Sequence, residues 1–310
     1  MAVITVHSWS DFIAAIGTAG AEVEFPKDIV RTQDTDVDPN KLYVDSNGIV
    51  QTNVQPADLP NLYENTFVLD ANLDNDLRLG FTTTITVNCN SINGYGGYIK
   101  NAYCPNAALF TIATSTNCVI TGIAFLNFAL ENNGFLNAAK PPKFYYCLFS
   151  GTMQNTTGSL LNFFGNYGGY IHFEFQSCSF NITLKGSNIK MFMQYGDTQA
   201  GLLRYCRFEC DTSEVTNCTL LITPINSYIT GDFTGFSSIY IWGASGAAAY
   251  ASIWEISTAT SIVLQMGCSA MLINNELYTG TIPAGFSGVS STDLANAQTL
   301  RDTYGFPIQT

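Results

Sequence analysis

One short phrase returns four times between Cys118 and Cys210: an apolar residue or Cys, one variable residue, then Phe. It reads Ile123-Ala124-Phe125, Cys147-Leu148-Phe149, Cys178-Ser179-Phe180 and Cys206-Arg207-Phe208, with steps of 24, 31 and 28 residues between first members. A second apolar series advances beside it: Leu109-Phe110, Phe135-Leu136, Leu160-Leu161, Met191-Phe192 and Leu220-Leu221, in steps of 26, 25, 31 and 29. Two series moving together require at least two structural elements in each period. Longer echoes accompany them. Tyr95-Gly96-Gly97-Tyr98-Ile99 returns 72 residues on as Tyr167-Gly168-Gly169-Tyr170-Ile171, and Ile120-Thr121-Gly122 returns as Ile229-Thr230-Gly231.

Self-similarity at this spacing marks a solenoid, in which one repeat cannot bury its apolar face until its neighbours stack on it. Helical repeats need long stretches of 3.6-residue periodicity. The apolar runs here are short, rich in Ile, Val, Thr, Phe and Tyr, and separated by Gly, Asn and Ser, which is the pattern of strands. In 202–210 the alternation is plain: Cys206, Phe208 and Cys210 fall on one face, Arg207 and Glu209 on the other. A period under about 40 residues favours a parallel β-helix over a propeller blade.

The runs 85–94, 98–101 and 118–128 resemble the opening turns of pectate-lyase-like β-helix proteins, and more narrowly those of tailed-bacteriophage virions. The resemblance covers roughly residues 80–275 and is structural in character. It implies that the parallel β-helix is right-handed, and the expected fold is all-β with a short N-terminal capping helix and a C-terminal helical tail. It also implies a virion protein made in the host cytoplasm, trimeric, and joined to other virion proteins. The expected division is 1–30 cap, 31–80 acidic insertion or lobe, 81–280 β-helix, and 281–310 second cap or docking tail.

Charge narrows the partners. Charged residues are 12% of the chain, about half the usual share, and the net charge is −12. A basic footprint for nucleic acid or an anionic membrane is therefore not expected. Residues 1–80 hold 13 Asp/Glu against 4 Lys/Arg, leaving 11 against 8 for the rest. No apolar run reaches membrane-spanning length, and the start lacks a signal-peptide pattern. The nine cysteines, an odd number without a secretion signal, read as free thiols filling inward positions of a strand ladder.

At the N-terminus, 8–19 places Trp9, Phe12, Ile13 and Ile16 on one helical face, with Ser8 or Ser10 as N-cap. Such a helix would cover the open end of the first repeat. Asp34, Asp36 and Asp38 with Asp45 imitate a calcium loop, but Pro39 stands where the sharp turn needs Gly and the twelfth position is Asp, so a solvated acidic loop is expected and no metal. The sequons at Asn155, Asn181 and Asn217 read as polar strand and turn residues. Near the C-terminus, 291–293 can cap a helix over 294–300 that Gly305 and Pro307 follow.

A hydrolase on this fold needs two carboxylates facing one groove. The repeat region offers Glu131, Glu174, Asp197, Glu209, Asp211, Glu214, Asp232, Glu255 and Glu276, and against the Cys-x-Phe phrase these form no evident column. Glu209 and Asp211, two apart on one strand face, are the best pair, although a solvated face explains them as well. Arg204 and Arg207 have only those acids nearby, as charge balance. His7 and His172 belong to no nucleophile motif. The expectation is thus no catalytic residue, no cofactor and an unassigned binding surface: a non-enzymatic head fibre, spike or tail appendage. The alternative is a glycan-binding or glycan-degrading tailspike-type protein using its tyrosines on a host surface glycan.

Overall fold

The computed structural model describes residues 2–26, 32–33, 37, 43–44, 50–51, 54–61, 63–64, 68–71, 84–105, 108–112, 117–166, 173–194, 201–225, 227–242, 253–257, 262–265, 270–272 and 286–287. The fold is all-β, dominated by one large sheet of 24 strands whose pairings are parallel. Its strands stack in three ladders. Ladder A runs from Val3–Thr5 and Glu22–Glu24 through 91–93, 119–121, Lys143–Tyr145, Glu174–Gln176 and Gly201–Arg204 to 222–225. Ladder B carries the Phe of the repeated phrase: Leu69, Ile99, Phe125, Phe149, Phe180, Phe208, Ile229 and Trp254 lie in one column. Ladder C joins Ile85–Val87, Phe110–Ile112, Leu136–Ala138, 164–166 and 192–194. Each period thus supplies three strands, one more than the minimum the two apolar series demand.

Aromatic packing explains why the ladders share a core. Phe149 stacks between Phe125 at 5.3 Å and Phe180 at 4.9 Å along ladder B. Phe144 stacks on Phe175 at 5.1 Å in ladder A, and Phe164 on Phe192 at 5.4 Å in ladder C. Across the core Phe144, Phe149 and Phe164 meet edge to face at 5.3 to 6.0 Å. Rings therefore stack along the ladders and turn edges across them, the two favourable geometries for aromatic quadrupoles, worth about 0.5–1.5 kcal/mol a pair beyond burial.

The register corrects two sequence alignments. Leu136 pairs with Phe164, so Phe163-Phe164 continues the second series; Leu160 is 51% exposed. Ile120 lies in ladder A whereas Ile229 lies in ladder B, so their shared tripeptide marks no equivalent place. The parallel sheet also reaches further N-terminal than the repeated phrase, taking in Val3–Thr5, Glu22–Glu24 and Val68–Asp70. These short strands are too brief to show a period.

Helix α1 spans Trp9–Ile16, shorter than 8–19, with Ser8 as N-cap accepting from the Asp11 backbone N–H at 3.1 Å. It buries Trp9, Phe12, Ala15 and Ile16, while Ile13 packs half-buried against the core. Its C-terminal end is tied to the sheet: the Ile16 carbonyl accepts from the backbone of Asn88 and Cys89, and Asn88 Nδ2 donates to the Gly17 carbonyl. Between these stretches, 32–33, 63–64, 43–44 and 50–51 form a separate four-stranded antiparallel sheet beside a small cluster of Tyr43, Leu59, Val37 and Val54. The calcium-like loop's aspartates, His172, the second Tyr-Gly-Gly-Tyr and the expected helix 294–300 lie outside the described residues. Within 281–310 the described element is the strand Phe286–Ser287.

Candidate functional site

Ladders A and B meet at a residue in the left-handed region, Gly122, Tyr146, Ser177 and Tyr205 in four successive repeats, with φ of 64°, 54°, 53° and 52°; one repeat earlier the bend is longer, 94–96, and both Tyr95 at 48° and Gly96 at 84° are left-handed. Register and backbone bonds align Gly122, Tyr146, Ser177 and Tyr205, since Tyr146 N–H donates to the Gln176 carbonyl, Ser177 N–H to that of Arg204 and Tyr205 N–H to that of Ile225. Left-handed backbone costs a non-glycine residue roughly 1–2 kcal/mol, and Gly122 shows the inexpensive solution. The residue sits immediately before the repeated phrase, so Tyr146-Cys147, Ser177-Cys178 and Tyr205-Cys206 were the sequence signal for it. Tyr95 is 44% and Tyr146 55% exposed, and Tyr205 is half-buried. The Tyr95 hydroxyl donates to Glu24 at 3.0 Å.

Gln176 and Arg204 precede Ser177 and Tyr205 on the outer side of ladder A, opposite in alternation to Phe175 and Leu203. The next outward column of ladder B holds Leu148, Ser179, Arg207 and Tyr228. The Arg207 guanidinium lies 5.5 Å from the Tyr228 ring centre and its Nη2 donates to Glu209 at 3.1 Å. In this column Ser179 Oγ and Arg207 Nε are buried without a protein hydrogen-bond partner.

Among the described residues, five carboxylates of the repeat region are spread and occupied. Glu209 is held by Arg207, and Asp211, exposed, accepts from the Ser213 backbone N–H at 2.9 Å in an Asx turn. Asp232 accepts from the Thr234 N–H at 2.8 Å, Glu174 pairs with Lys143 at 2.9 Å, and Glu214 with Lys185 at 3.0 Å. The Glu174 carboxylate beside it raises the Lys143 pKa. The register does place Glu209, Thr230 and Glu255 in one column, a coincidence hidden by the unequal periods. Asp197, Glu276 and His172 fall outside the described residues, and His7 lies exposed beside α1. Among the described residues no group of three His, Cys, Asp or Glu could hold a metal ion.

Inside the corner runs the thiol column. Ile123, Cys147, Cys178 and Cys206 are stacked and buried, and Ser227 continues them. Each thiol serves the backbone at the bend: the Cys147 N–H donates to Cys178 Sγ at 3.4 Å, and Cys178 Sγ donates to the Phe144 carbonyl at 3.4 Å. Ser227 does the same one repeat on, accepting from Cys206 N–H at 3.1 Å and donating to the Leu203 carbonyl at 3.1 Å. The eight described cysteines are free and buried; Cys268 lies outside them. Burial pushes the Cys178 and Cys210 thiols well up and those of Cys104 and Cys218 to about 12 and about 11. A hydrogen bond between Cys89 and Cys118 lowers the first and raises the second. Enclosed thiols of raised pKa lack the thiolate and the access a nucleophile needs.

An apolar space under α1, bounded by Phe12, Val87, Ile92, Ile120, Phe125 and Phe135, has no polar lining and belongs to the core. Among the described residues no helix is long and apolar enough to cross a membrane. Comparison with family models, with curated proteins and with solved structures finds no match to this chain.

Proposed function

We propose that the three ladders are the faces of a right-handed parallel β-helix, and that the protein is a non-enzymatic structural component of a tailed-bacteriophage virion. It is a head fibre, spike or tail appendage that displays a host-attachment surface. The observation that carries this reading is the unbroken run of phenylalanines in contact through the core, stacked from Phe125 through Phe149 to Phe180 and tilted from Phe180 to Phe208. Such a core makes a rod stiff along its axis and leaves the outer faces to vary. The virion setting comes from the sequence resemblance, and the lack of catalysis from carboxylates already tied to Arg207, Lys143 and backbone amides. The antiparallel sheet of 32–64 is a side lobe on this rod.

Gold-labelled antibody raised against the purified protein tests the assignment on purified phage particles whose genome encodes the chain. Label at one fixed place on the particle is expected, and unlabelled particles, intact and disrupted, contradict it. Incubation with host-surface polysaccharide is expected to release no reducing ends or unsaturated products. Release that Glu209→Gln or Asp211→Asn abolishes contradicts the non-enzymatic part.

A second reading, glycan attachment, is favoured by the exposed left-handed tyrosines.

A further inference from the structure

We propose that Cys89 and Cys118 are a redox pair, held as thiols in reducing surroundings and joined as a disulfide beneath helix α1 where a small disulfide such as oxidised glutathione prevails. The pair uses buried residues and does not depend on the virion reading.

Among the described residues two groups of thiols are joined by hydrogen bonds: the column of Cys147, Cys178 and Cys206, and the pair Cys89 and Cys118. Register separates them. Leu148 pairs with Ser179 and Ser179 with Arg207, so the three thiols of the column stand directly across from one another. Their Cβ atoms run side by side, whereas a disulfide needs a dihedral near 90° across the sulfurs. The pair is set differently. Val119 pairs with Ser91 and its N–H donates to the Asn90 carbonyl at 3.1 Å, which puts Cys118 across from Asn90 and one step along from Cys89. A one-step diagonal between neighbouring strands spans about 5.8 Å from Cα to Cα, in the centre of the range that disulfides adopt.

The two thiols also hold their protons unequally. The Cys118 thiol donates to the Cys89 sulfur, which lowers the pKa of Cys89 and raises that of Cys118, and the Cys89 backbone N–H favours the Cys89 thiolate further. Burial instead pushes up Cys104, Cys178, Cys210 and Cys218. A thiol that ionises early beside one that keeps its proton divides the work of exchange. The Cys89 thiolate attacks one sulfur of oxidised glutathione and releases the other half as a thiolate, which takes up a proton. Cys118 then gives its proton to water, attacks the Cys89 sulfur of the mixed disulfide and expels the second glutathione. Two protein thiols are oxidised and one glutathione disulfide is reduced to two thiols.

Position gives the bond its effect. The Cys89 N–H donates to the Ile16 carbonyl at 3.1 Å, Asn88 Nδ2 to the Gly17 carbonyl at 3.2 Å and Asn90 Nδ2 to the Gly20 carbonyl at 3.3 Å, so the segment carrying Cys89 is the seat of the capping helix. Cys118 leads into Val119–Glu131, the strand that carries Phe125. A bond between them ties the seat of the cap to the next repeat and closes the chain from 89 to 118, which takes freedom from the unfolded state. Both sulfurs are enclosed, at 0% and 1% exposure, so exchange waits on opening of that end and the finished bond is shielded from reduction. The reducing glutathione pool of a cytoplasm keeps the pair open, and an oxidising exterior closes it.

The full chain is incubated in glutathione buffers of graded oxidised-to-reduced ratio, in urea just below the unfolding midpoint so that buried thiols exchange, then alkylated and mapped by peptide mass spectrometry. A linked Cys89–Cys118 peptide is expected in the oxidising buffers and not in the reducing ones, with Cys147, Cys178 and Cys206 recovered as thiols. The linked chain is expected to melt higher than the reduced chain, and dithiothreitol to cancel the gain. Cys118→Ala is expected to lose both the linked peptide and the gain in melting temperature, leaving Cys89 as a mixed disulfide with glutathione. No Cys89–Cys118 link in any buffer, a link formed in preference among Cys147, Cys178 and Cys206, or a linked chain that melts no higher than the reduced one overturns the proposal.

Discussion

Cys178 shows how one position answers two demands. Its sulfur fills an inward place among stacked rings, and it also accepts the Cys147 N–H and donates to the Phe144 carbonyl at a sharp bend. Ser227 in the same column meets the second demand without the first. Cys178→Val keeps the volume and loses two weak bonds, so a cost of about 1.5 kcal/mol or less in urea unfolding is expected. Cys178→Asp buries an unpaired charge and should leave no folded protein at ambient temperature. Native thiols at 147, 178 and 206 should label only as fast as the protein unfolds; rapid labelling would place the column on the surface.

The same burial sets an alkaline limit on stability. Cys104 and Cys218, ordinarily near 9, are pushed to about 12 and about 11 by burial. The folded chain therefore holds protons that the unfolded chain releases. This contribution is complete below about pH 9 and fades as pH rises toward the folded values, by at most roughly 1.4 kcal/mol per pH unit for each thiol. Urea midpoints are expected to fall between pH 8.5 and 11, and Cys104→Ala to flatten the fall. A midpoint unchanged across that range would contradict the burial of these thiols.

At the scale of elements, the bends and close approaches decide which glycines matter. A Cβ at Gly231, φ 119°, would come within 2.1 Å of the Cys210 carbonyl oxygen, whereas one at Gly20, φ 74°, meets nothing within 4 Å. Gly231→Ala should thus force two strands apart and cost several times more than Gly20→Ala, which carries only left-handed strain of about 1–2 kcal/mol; comparable melting temperatures would contradict the stacking. Asparagines secure other bends: Asn127 Nδ2 donates to Asn101 Oδ1 at 2.7 Å, and Asn217 donates likewise to Asn188. Asn155, one of the sequon residues, is buried with its amide on the Ser159 carbonyl at 2.7 Å, which suits a turn and excludes a glycan in the folded state. Helix α1 depends on its cap, and Ser8→Ala is expected to cost about 1 kcal/mol.

For the whole molecule, the outer side of ladder C bears on assembly. Thr86, Thr111 and Asn137 form an uncharged column there, on a chain with few charges overall. We propose that three such faces pack around an axis with little desolvation cost, giving the homotrimer that the sequence resemblance implies. Sedimentation equilibrium at micromolar concentration is expected to give three times the 33.7 kDa chain mass; a stable monomer would count against it.

The repeated phrase alone determined that strands stack and that Phe149, Phe180 and Phe208 share a column, because side-chain alternation and a shared core leave a short Cys-x-Phe unit one inward setting. The capping helix was legible for a similar reason, its apolar spacing and Ser8 being local. Registry was not. Unequal loops between strands let Leu160-Leu161 pass for Phe163-Phe164 and hid the alignment of Glu209 with Glu255, since only hydrogen bonding between distant segments counts the residues in each bend. The candidate site was the least legible part. Tyr146, Ser177 and Tyr205 each stand directly before a Cys-x-Phe phrase, but what unites them with Gly122 is a left-handed bend, a property of backbone that becomes visible once the ladders are in place.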